Sequence, residues 1–361
     1  TWGDSNLISA ENNIISNNHF YQNFYSAVGL YRNAKSNIIE NNLAEYNAIA
    51  HMDTHTGTSH NIFRNNVLRH AGFYSETMPS PGPSGIVIHN AGPGHVVEGN
   101  FISYQVDATG NDGYGIITDH TNYQSIIRNN ILYRNMGHGF ASTSSGKNIV
   151  VNNQFIENGY NSSKPQYGIG MARDADIDHI IANNIFYKNK SGAMSFSGLL
   201  RQQEYIDYNL FYQPGTPLVF DNTYYYDLAS YQNATGFGTH SIVSDPLFLD
   251  AENGDYHLTR YSPAIDIGHS SVVGLPTFDF DGDNRILGRN VDIGADEYAE
   301  VAVTISSGDV NGDGSINLAD AIASLRVLSN MPTSAFKAAD LSGDGKVGME
   351  EALELLYQLS L

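Results

Sequence analysis

The 361 residues carry 18 Lys and Arg against 38 Asp and Glu, for a net charge of −20, and no cysteine. That balance argues against nucleic acid and anionic membranes as partners. The absence of thiols removes disulfide frameworks and thiolate metal sites, and no run is long and apolar enough to span a bilayer. The chain opens on Thr1-Trp2-Gly3-Asp4, with neither an initiator Met nor a leader, and reads as a processed chain or a piece of a longer one. Abundant Tyr and Gly beside few basic residues suit a secreted, carbohydrate-facing protein.

From residue 12 one phrase recurs: two aliphatics, a variable residue, then Asn-Asn. It reads Ile14-Ile15-Ser16-Asn17-Asn18, Ile38-Ile39-Glu40-Asn41-Asn42 and Ile62-Phe63-Arg64-Asn65-Asn66. Later copies centre on Val96-Val97, Ile126-Ile127, Ile149-Val150, Ile180-Ile181 and, degraded, Ile206-Asp207. A period of roughly 22–35 residues with one Asn at fixed phase marks a solenoid. Asn18, Asn42, Asn66, Asn100, Asn130, Asn153, Asn184 and Asn209 are expected to form a buried ladder. Their amides both donate and accept, and Asn tolerates the left-handed turn conformation.

A second strand signal lies between the copies: a small residue, then apolar residues at alternate positions. Examples are Ala27-Val28-Gly29-Leu30-Tyr31, Ala48-Ile49-Ala50-His51-Met52, Gly85-Ile86-Val87-Ile88-His89 and Gly115-Ile116-Ile117-Thr118-Asp119. Period two means a strand with one face inward. No helical stripe occurs before residue 300, so residues 1–212 read as an all-β parallel β-helix.

Equivalent outward positions in stacked coils form surface columns about 4.8 Å apart. The column at the end of the second strand reads Tyr31-Arg32, Met52-Asp53, His89-Asn90, Asp119-His120, Thr143-Ser144 and Ala172-Arg173. Asp53, His89, Asp119 and His120 are the candidate catalytic groups, because a His beside an Asp suits general acid–base work. Tyr31, Arg32 and Arg173 are candidate substrate-binding residues, the arginines as partners for a substrate carboxylate. Asp53 and Asp119, set about 10 Å apart by this register, come near the spacing for inverting hydrolysis. His51 falls on an inward position and reads as a core histidine; the stretch from His51 to His55 is not assigned a metal, since alternate positions face opposite sides. The loops holding Tyr74, Glu76, Asp107, Asn111 and Asp112 are expected to wall a groove.

Residues 213–298 break the rhythm and read as a continuation and cap. They contain Ser244-Asp245-Pro246-Leu247-Phe248, Ser262-Pro263-Ala264-Ile265-Asp266-Ile267-Gly268 and Val291-Asp292-Ile293-Gly294-Ala295-Asp296-Glu297. This run resembles the tail of secreted right-handed parallel β-helix proteins of the polysaccharide-lyase type. The resemblance implies the handedness and an extracellular setting, and leaves the reaction open. Within it, Asp279-Phe280-Asp281-Gly282-Asp283 reads as a turn with Arg285 as counter-charge.

After a linker at 299–307 comes a module at 308–361. Its first loop places Asp309, Asn311, Asp313, Ser315 and Asp320 at the spacing of a calcium loop, with Gly314 at the sharp turn. The second offers Asp340, Ser342, Asp344, Lys346 through its backbone, and Glu351. Each loop enters a helix. The pair resembles a dockerin, a small α-helical EF-hand-like module, which implies two Ca²⁺ sites and a cohesin partner contacted through Leu318-Ala319 and Met349-Glu350. Self-association through the module is the alternative.

The reading from sequence is therefore an extracellular β-helix acting on an acidic polysaccharide, with lyase or epimerase chemistry favoured over hydrolysis. A non-catalytic structural or adhesive protein, stacking head to tail through open β-helix ends, stands as the other class.

Overall fold

The computed structural model describes residues 9–73, 82–108, 110–120, 124–172, 178–197, 204–299, 308–311, 315–328 and 347–360. The chain divides into two compact units, Thr1–Tyr298 and Ala299–Leu361.

The first unit is a parallel β-helix whose coils each run through three short strands, so that stacking builds three sheets. The first sheet runs from Ile14–Ser16 through Ile38–Glu40, Ile62–Arg64, Val96–Glu98 and Ile126–Arg128 to Tyr205–Asp207. The second runs from His19–Tyr21 through Leu43–Glu45 and Val67–Arg69 to Leu210–Tyr212 and Ile242–Val243. The third runs from Val28–Leu30 through Met52–Thr54, Ile86–His89, Ile116–Asp119 and Phe140–Thr143 to Val219–Asp221. The Asn phrase makes the first sheet and the small-residue strand makes the third. The second sheet is an element that the sequence reading lacks. Its strands are three residues long, too short for their alternation to register as a period.

Side chains at the middle of each strand of the first two sheets fill the interior, together with alternate residues of the third such as Val28, Leu30, Ile86 and Ile88. Ile39, Phe63, Val97, Ile127, Val150 and Ile181 form one inward column; Leu68, Ile102, Leu132, Phe155, Phe186 and Phe211 form another. The last three phenylalanine rings stack at 5.1 and 5.4 Å. Small residues lead the third-sheet strands because the next coil passes close by. A Cβ on Gly85 or Gly115 would stand 2.5 or 2.6 Å from a carbonyl oxygen of the following coil.

The Asn ladder forms. The Asn42 backbone N–H donates to Asn66 Oδ1 at 3.0 Å, and the Asn42 amide donates to the same oxygen and to Ile15 O. The pattern climbs through Asn100, Asn130, Asn153 and Asn184 to Asn209, whose N–H ends on Ser241 Oγ. Asn18, at the first coil, is exposed rather than buried. The left-handed conformation belongs to the preceding residue, as at Asn41 (φ 56°), Asn65 (φ 55°) and Asn129 (φ 52°). Two further ladders occupy the other corners. One links Asn13, Asn37 and Asn61, with His95 and His179 accepting from backbone N–H groups of the preceding coil. The other joins Gln105, Asn135, Asn158 and Asn189.

One coil departs from the sequence alignment. Met52 pairs with Val28 and Ile86, so His51, not Ala48, stands at the small-residue position. The sequence reading set this coil three residues out of step. His51 is buried with Nδ1 against the Asn47 amide at 2.8 Å, as read for a core histidine, and burial drives its pKa down to about 3.

Beyond the last coil, helix α1 (Leu228–Thr235) starts on Asp227, whose carboxylate accepts from Ser230 N, and stops at left-handed Gly236. Residues 248–298 then reach further than a cap over the end. They run back along the outer corner of the first two sheets, where Asn129, Asn152 and Asn183 donate to the carbonyls of Phe278, Asp292 and His269. Outward Val151, Ala182, Ile156 and Ile185 are covered there. Arg285, 2 % exposed, holds the segment by donating to the carbonyls of Asp292, Gly294 and Ala295. Asp279 closes a turn by accepting from the N–H groups of Asp281, Gly282 and Asp283.

In the second unit, α2 (Leu318–Leu328) and α3 (Met349–Gln358) enclose Val310, Ala321, Ala323 and Leu355. The larger apolar residues Ile322, Leu325, Leu353, Leu356 and Tyr357 remain exposed.

Candidate functional site

The outer face of the third sheet carries a continuous run of polar rings and carboxylates. Its strands present alternate residues outward, and the pairing of His89 with Asp119 fixes the register. Extending that register two residues past Asp53 and Gly29 aligns His55 and Tyr31 with them. The rings follow this order. Tyr31 stacks on His55 at 4.8 Å, His55 meets His89 edge-on at 5.4 Å, and His89 lies 5.2 Å from His120.

Asp119 sits between two imidazoles. His89 Nδ1 lies 3.0 Å from Asp119 Oδ2, and His120 Nδ1 lies 2.6 Å from Oδ1. The Asn90 amide donates to His89 Nε2 at 3.0 Å, which leaves the His89 proton on Nδ1, facing the carboxylate. His120 is in the left-handed conformation (φ 55°), which folds its ring back beside the residue that precedes it. His120 Nδ1 is buried beside Asp119 Oδ1 without a hydrogen bond to it, so acid–base work at His120 falls to Nε2. The His120 side chain is 45 % exposed and that of Asp119 only 21 %, so the ring meets solvent and the carboxylate backs it.

Asp53 lies in a different row. It pairs with Gly29 and Val87, not beside His89. Its carboxylate is 7 % exposed, accepts from Tyr31 Oη at 3.0 Å and contacts His55 Nε2 at 2.9 Å. The absence of a side chain at Gly29 makes room for the Tyr31 ring, since a Cβ there would stand 2.5 Å from it. Burial, and then the Asp53 charge, push the Tyr31 phenol well above its ordinary range. Asp53 thus braces Tyr31 and His55 and is not presented to solvent as a second acid. His55 is the residue that the sequence reading missed.

An open depression of about 760 Å³ adjoins these rings, lined by Tyr25, Ser26, Gly29, Tyr31, Arg32, His55 and Thr56. Arg32 and Tyr31 therefore share one hollow. Arg173, Tyr74 and Glu76 lie outside the described residues. Asp107 is buried and closes a turn through Asn111 N and Asp112 N, so it shapes its loop from within. His138 is buried, stacks on Tyr114 and accepts from Tyr167 N, and burial lowers its pKa to about 4.

In the second unit, Asp309, Asp320 and Glu351 are buried. Asp320 accepts from Asn311 N at 3.0 Å and Asn317 N at 2.8 Å, which curls the loop around its last ligand position. Buried carboxylates at the first and last loop positions suit a hard divalent cation. Asn311 and Ser315 are also described; Asp313, Asp340, Ser342, Asp344 and Lys346 lie outside the described residues.

The comparisons with known proteins agree with this architecture. Residues 4–107 match the model of the right handed beta helix region, and residues 307–360 match the dockerin type I domain. The chain is a right-handed parallel β-helix protein. It carries a C-terminal dockerin, a calcium-binding docking module. Among solved structures it is similar to pectate lyase Pel9A, with 13 % identity, TM-score 0.43, and coverage of 83 % of this chain and 84 % of that one. It is also similar to XylC in complex with xylose, with 14 % identity, TM-score 0.37, and coverage of 72 % of this chain and 50 % of that one. No curated protein matches the sequence. Among the described residues no helix is long and apolar enough to cross a membrane.

Proposed function

We propose that the β-helix is an extracellular carbohydrate-active unit that abstracts a proton from a uronate in an acidic polysaccharide, by elimination or epimerisation. The observation that carries this reading is Asp119 held between His89 and His120 on a rigid outer sheet face. His120 Nε2 would take the proton beside the substrate carboxylate, with Asp119 stabilising the imidazolium that forms. Arg32, three coils away in the hollow beside Tyr31, would hold the carboxylate of another uronate further along the same polysaccharide. In elimination the electron pair forms the C4–C5 double bond and expels the C4 oxygen, which is then protonated. In epimerisation a solvent-derived proton is delivered to C5 from the face opposite His120, and the proton on His120 Nε2 passes to solvent. Inverting hydrolysis loses support because Asp53 is spent on Tyr31 and His55.

The dockerin tethers this unit through a cohesin, with two Ca²⁺ ions holding its loops. Leu318 and Met349, 56 % and 51 % exposed, stand at the starts of the two helices where such a partner would be contacted.

The test is to incubate Ca²⁺-loaded protein with pectins, alginates and chondroitins in deuterated buffer. Ultraviolet absorbance of unsaturated uronates, reducing ends and deuterium at C5 are followed together. Unsaturated ends, or deuterium without chain cleavage, are expected, and His120→Ala and Asp119→Asn should abolish either signal at unchanged Tm. Reducing ends alone would overturn proton abstraction in favour of hydrolysis. Silence in all three would leave the non-catalytic structural class.

A further inference from the structure

The outer segment of the first unit brings together a second polar cluster, remote in sequence from the ring column. His257 stands on the strand Asp255–Leu258, Asp281 in the turn closed by Asp279, and Asp296 near the end of the unit. One ligand atom from each lies within 4.8 Å of the other two. His257 Nε2 is 2.7 Å from Asp281 Oδ2, while its Nδ1 contacts Asp255 Oδ1. Asp296 is only 7 % exposed, with Oδ2 accepting from Leu258 N at 2.9 Å.

From this arrangement we infer a divalent metal site formed by His257 Nε2, Asp281 and Asp296, with Asp255 as the outer carboxylate on His257 Nδ1. The donor chemistry argues for it in three ways. An imidazole with two carboxylates is a mixed nitrogen and oxygen set, which favours a borderline ion such as Zn²⁺, Co²⁺ or Mn²⁺ over the all-oxygen environment of Ca²⁺. A carboxylate on the far ring nitrogen fixes the tautomer that aims the Nε2 lone pair at a metal. A carboxylate buried beside another one is costly unless positive charge compensates; Arg285 acts on Asp296 but shares its charge with Asp279, Asp292 and Glu297, and within the cluster His257 serves Asp255, Asp281 and Asp296. Ligands about 2.0–2.2 Å from one ion lie roughly 3–3.5 Å apart, so the cluster needs only a small closing movement. Three protein ligands, two of them solvent-exposed, leave a coordination position for water. The ion would staple the strand Asp255–Leu258, the turn and the end of the segment to one another.

Co²⁺ is the probe, added to the full chain with Ca²⁺ saturating the dockerin loops. The expected result is one equivalent of visible Co²⁺ absorption, displaced by Zn²⁺, with a rise in Tm on loading. His257→Ala and Asp281→Asn, both at exposed positions, should remove the absorption and the Tm rise while the Ca²⁺-loaded far-ultraviolet spectrum stays native. Asp255→Asn should weaken Co²⁺ affinity about 10-fold or more without abolishing it. Absence of Co²⁺ absorption in folded wild-type protein overturns the site. So does undiminished absorption in His257→Ala, which would place the ion on other histidines.

Discussion

Removal of the Asn130 side chain tests the interior corner chemistry most directly. Asn130 is fully buried, and its amide makes five hydrogen bonds. Oδ1 accepts from Asn100 N at 3.0 Å and Asn100 Nδ2 at 2.9 Å; Nδ2 donates to Val97 O, Arg128 O and Asn153 Oδ1. In Asn130→Ala the Asn100 N–H loses this acceptor in a dry interior, at a cost of about 1–3 kcal/mol. The lost donor bonds add roughly 1–2 kcal/mol more, so the expected destabilisation is about 3 kcal/mol. Asn130→Asp should be worse, because it replaces the donating Nδ2 with a charged acceptor oxygen facing three oxygens. Asn18→Ala is the control. The same residue type at the exposed end donates to Asn42 and Ser16, and its loss should cost less than about 0.5 kcal/mol. Urea unfolding of the Ca²⁺-loaded chain, followed by far-ultraviolet ellipticity, reads all three. If Asn130→Ala unfolds within about 0.5 kcal/mol of wild type, or no earlier than Asn18→Ala, the ladder is not what satisfies the corners.

The buried histidines predict acid sensitivity. His179 accepts from Asn148 N at 3.2 Å, and burial lowers its pKa to about 4. The unfolded chain binds a proton near pH 6.5 and the folded one does not, so stability is complete above that pH and falls as pH drops toward 4. At about pH 5 the loss from this one group is roughly 2 kcal/mol. His179→Asn, which restores the amide found lower in the same ladder, should reduce the loss between about pH 7.5 and about pH 5 by that amount; equal slopes would mean that His179 is not held neutral. In the dockerin, Asp320→Ala should remove one of the two proposed Ca²⁺ equivalents by isothermal titration and lower the helical signal. Unchanged stoichiometry would remove Asp320 from the ligand set.

The fold was legible because its repeat is chemical as well as periodic. The corner amide must satisfy backbone groups that water cannot reach, so Asn recurs wherever the chain turns. The same logic was open for the other two corners. Asn13, Asn18 and Asn23 are spaced by five residues, as are Asn37, Asn42 and Asn47, and again Ser125, Asn130 and Asn135. That spacing is one corner, a three-residue strand and the next corner, and it contains the missing second sheet. It was hidden because the outer ladders admit His95, Gln105 and Ser125, so no single residue type marks them. The course of residues 248–298 had no local signal. It depends on the outward apolar residues Val151, Ala182 and Ile185, which a two-faced strand pattern presents like any other alternation.

The site was half legible, and the missing half turns on one coil. His89 and Asp119 were aligned correctly because Gly85 and Gly115 mark the start of their strands. In the coil before them an imidazole stands where those glycines do, so the small-residue cue pointed to Ala48. Counting back from the next first-sheet strand avoids the trap. Val28 precedes Ile38 by ten residues, Met52 precedes Ile62 by ten, Ile86 precedes Val96 by ten and Ile116 precedes Ile126 by ten. The insertions fall elsewhere, between the second and third sheets, where residues 70–85 lengthen one coil. With that count, His55 lines up with Tyr31, His89 and Asp119, and Asp53 drops out of their row. The consequence is chemical. A hydrolytic reading rested on Asp53 and Asp119 as paired acids, whereas Asp53 holds Tyr31 and His55, and Asp119, between two imidazoles, is the carboxylate that the proposed proton transfer uses.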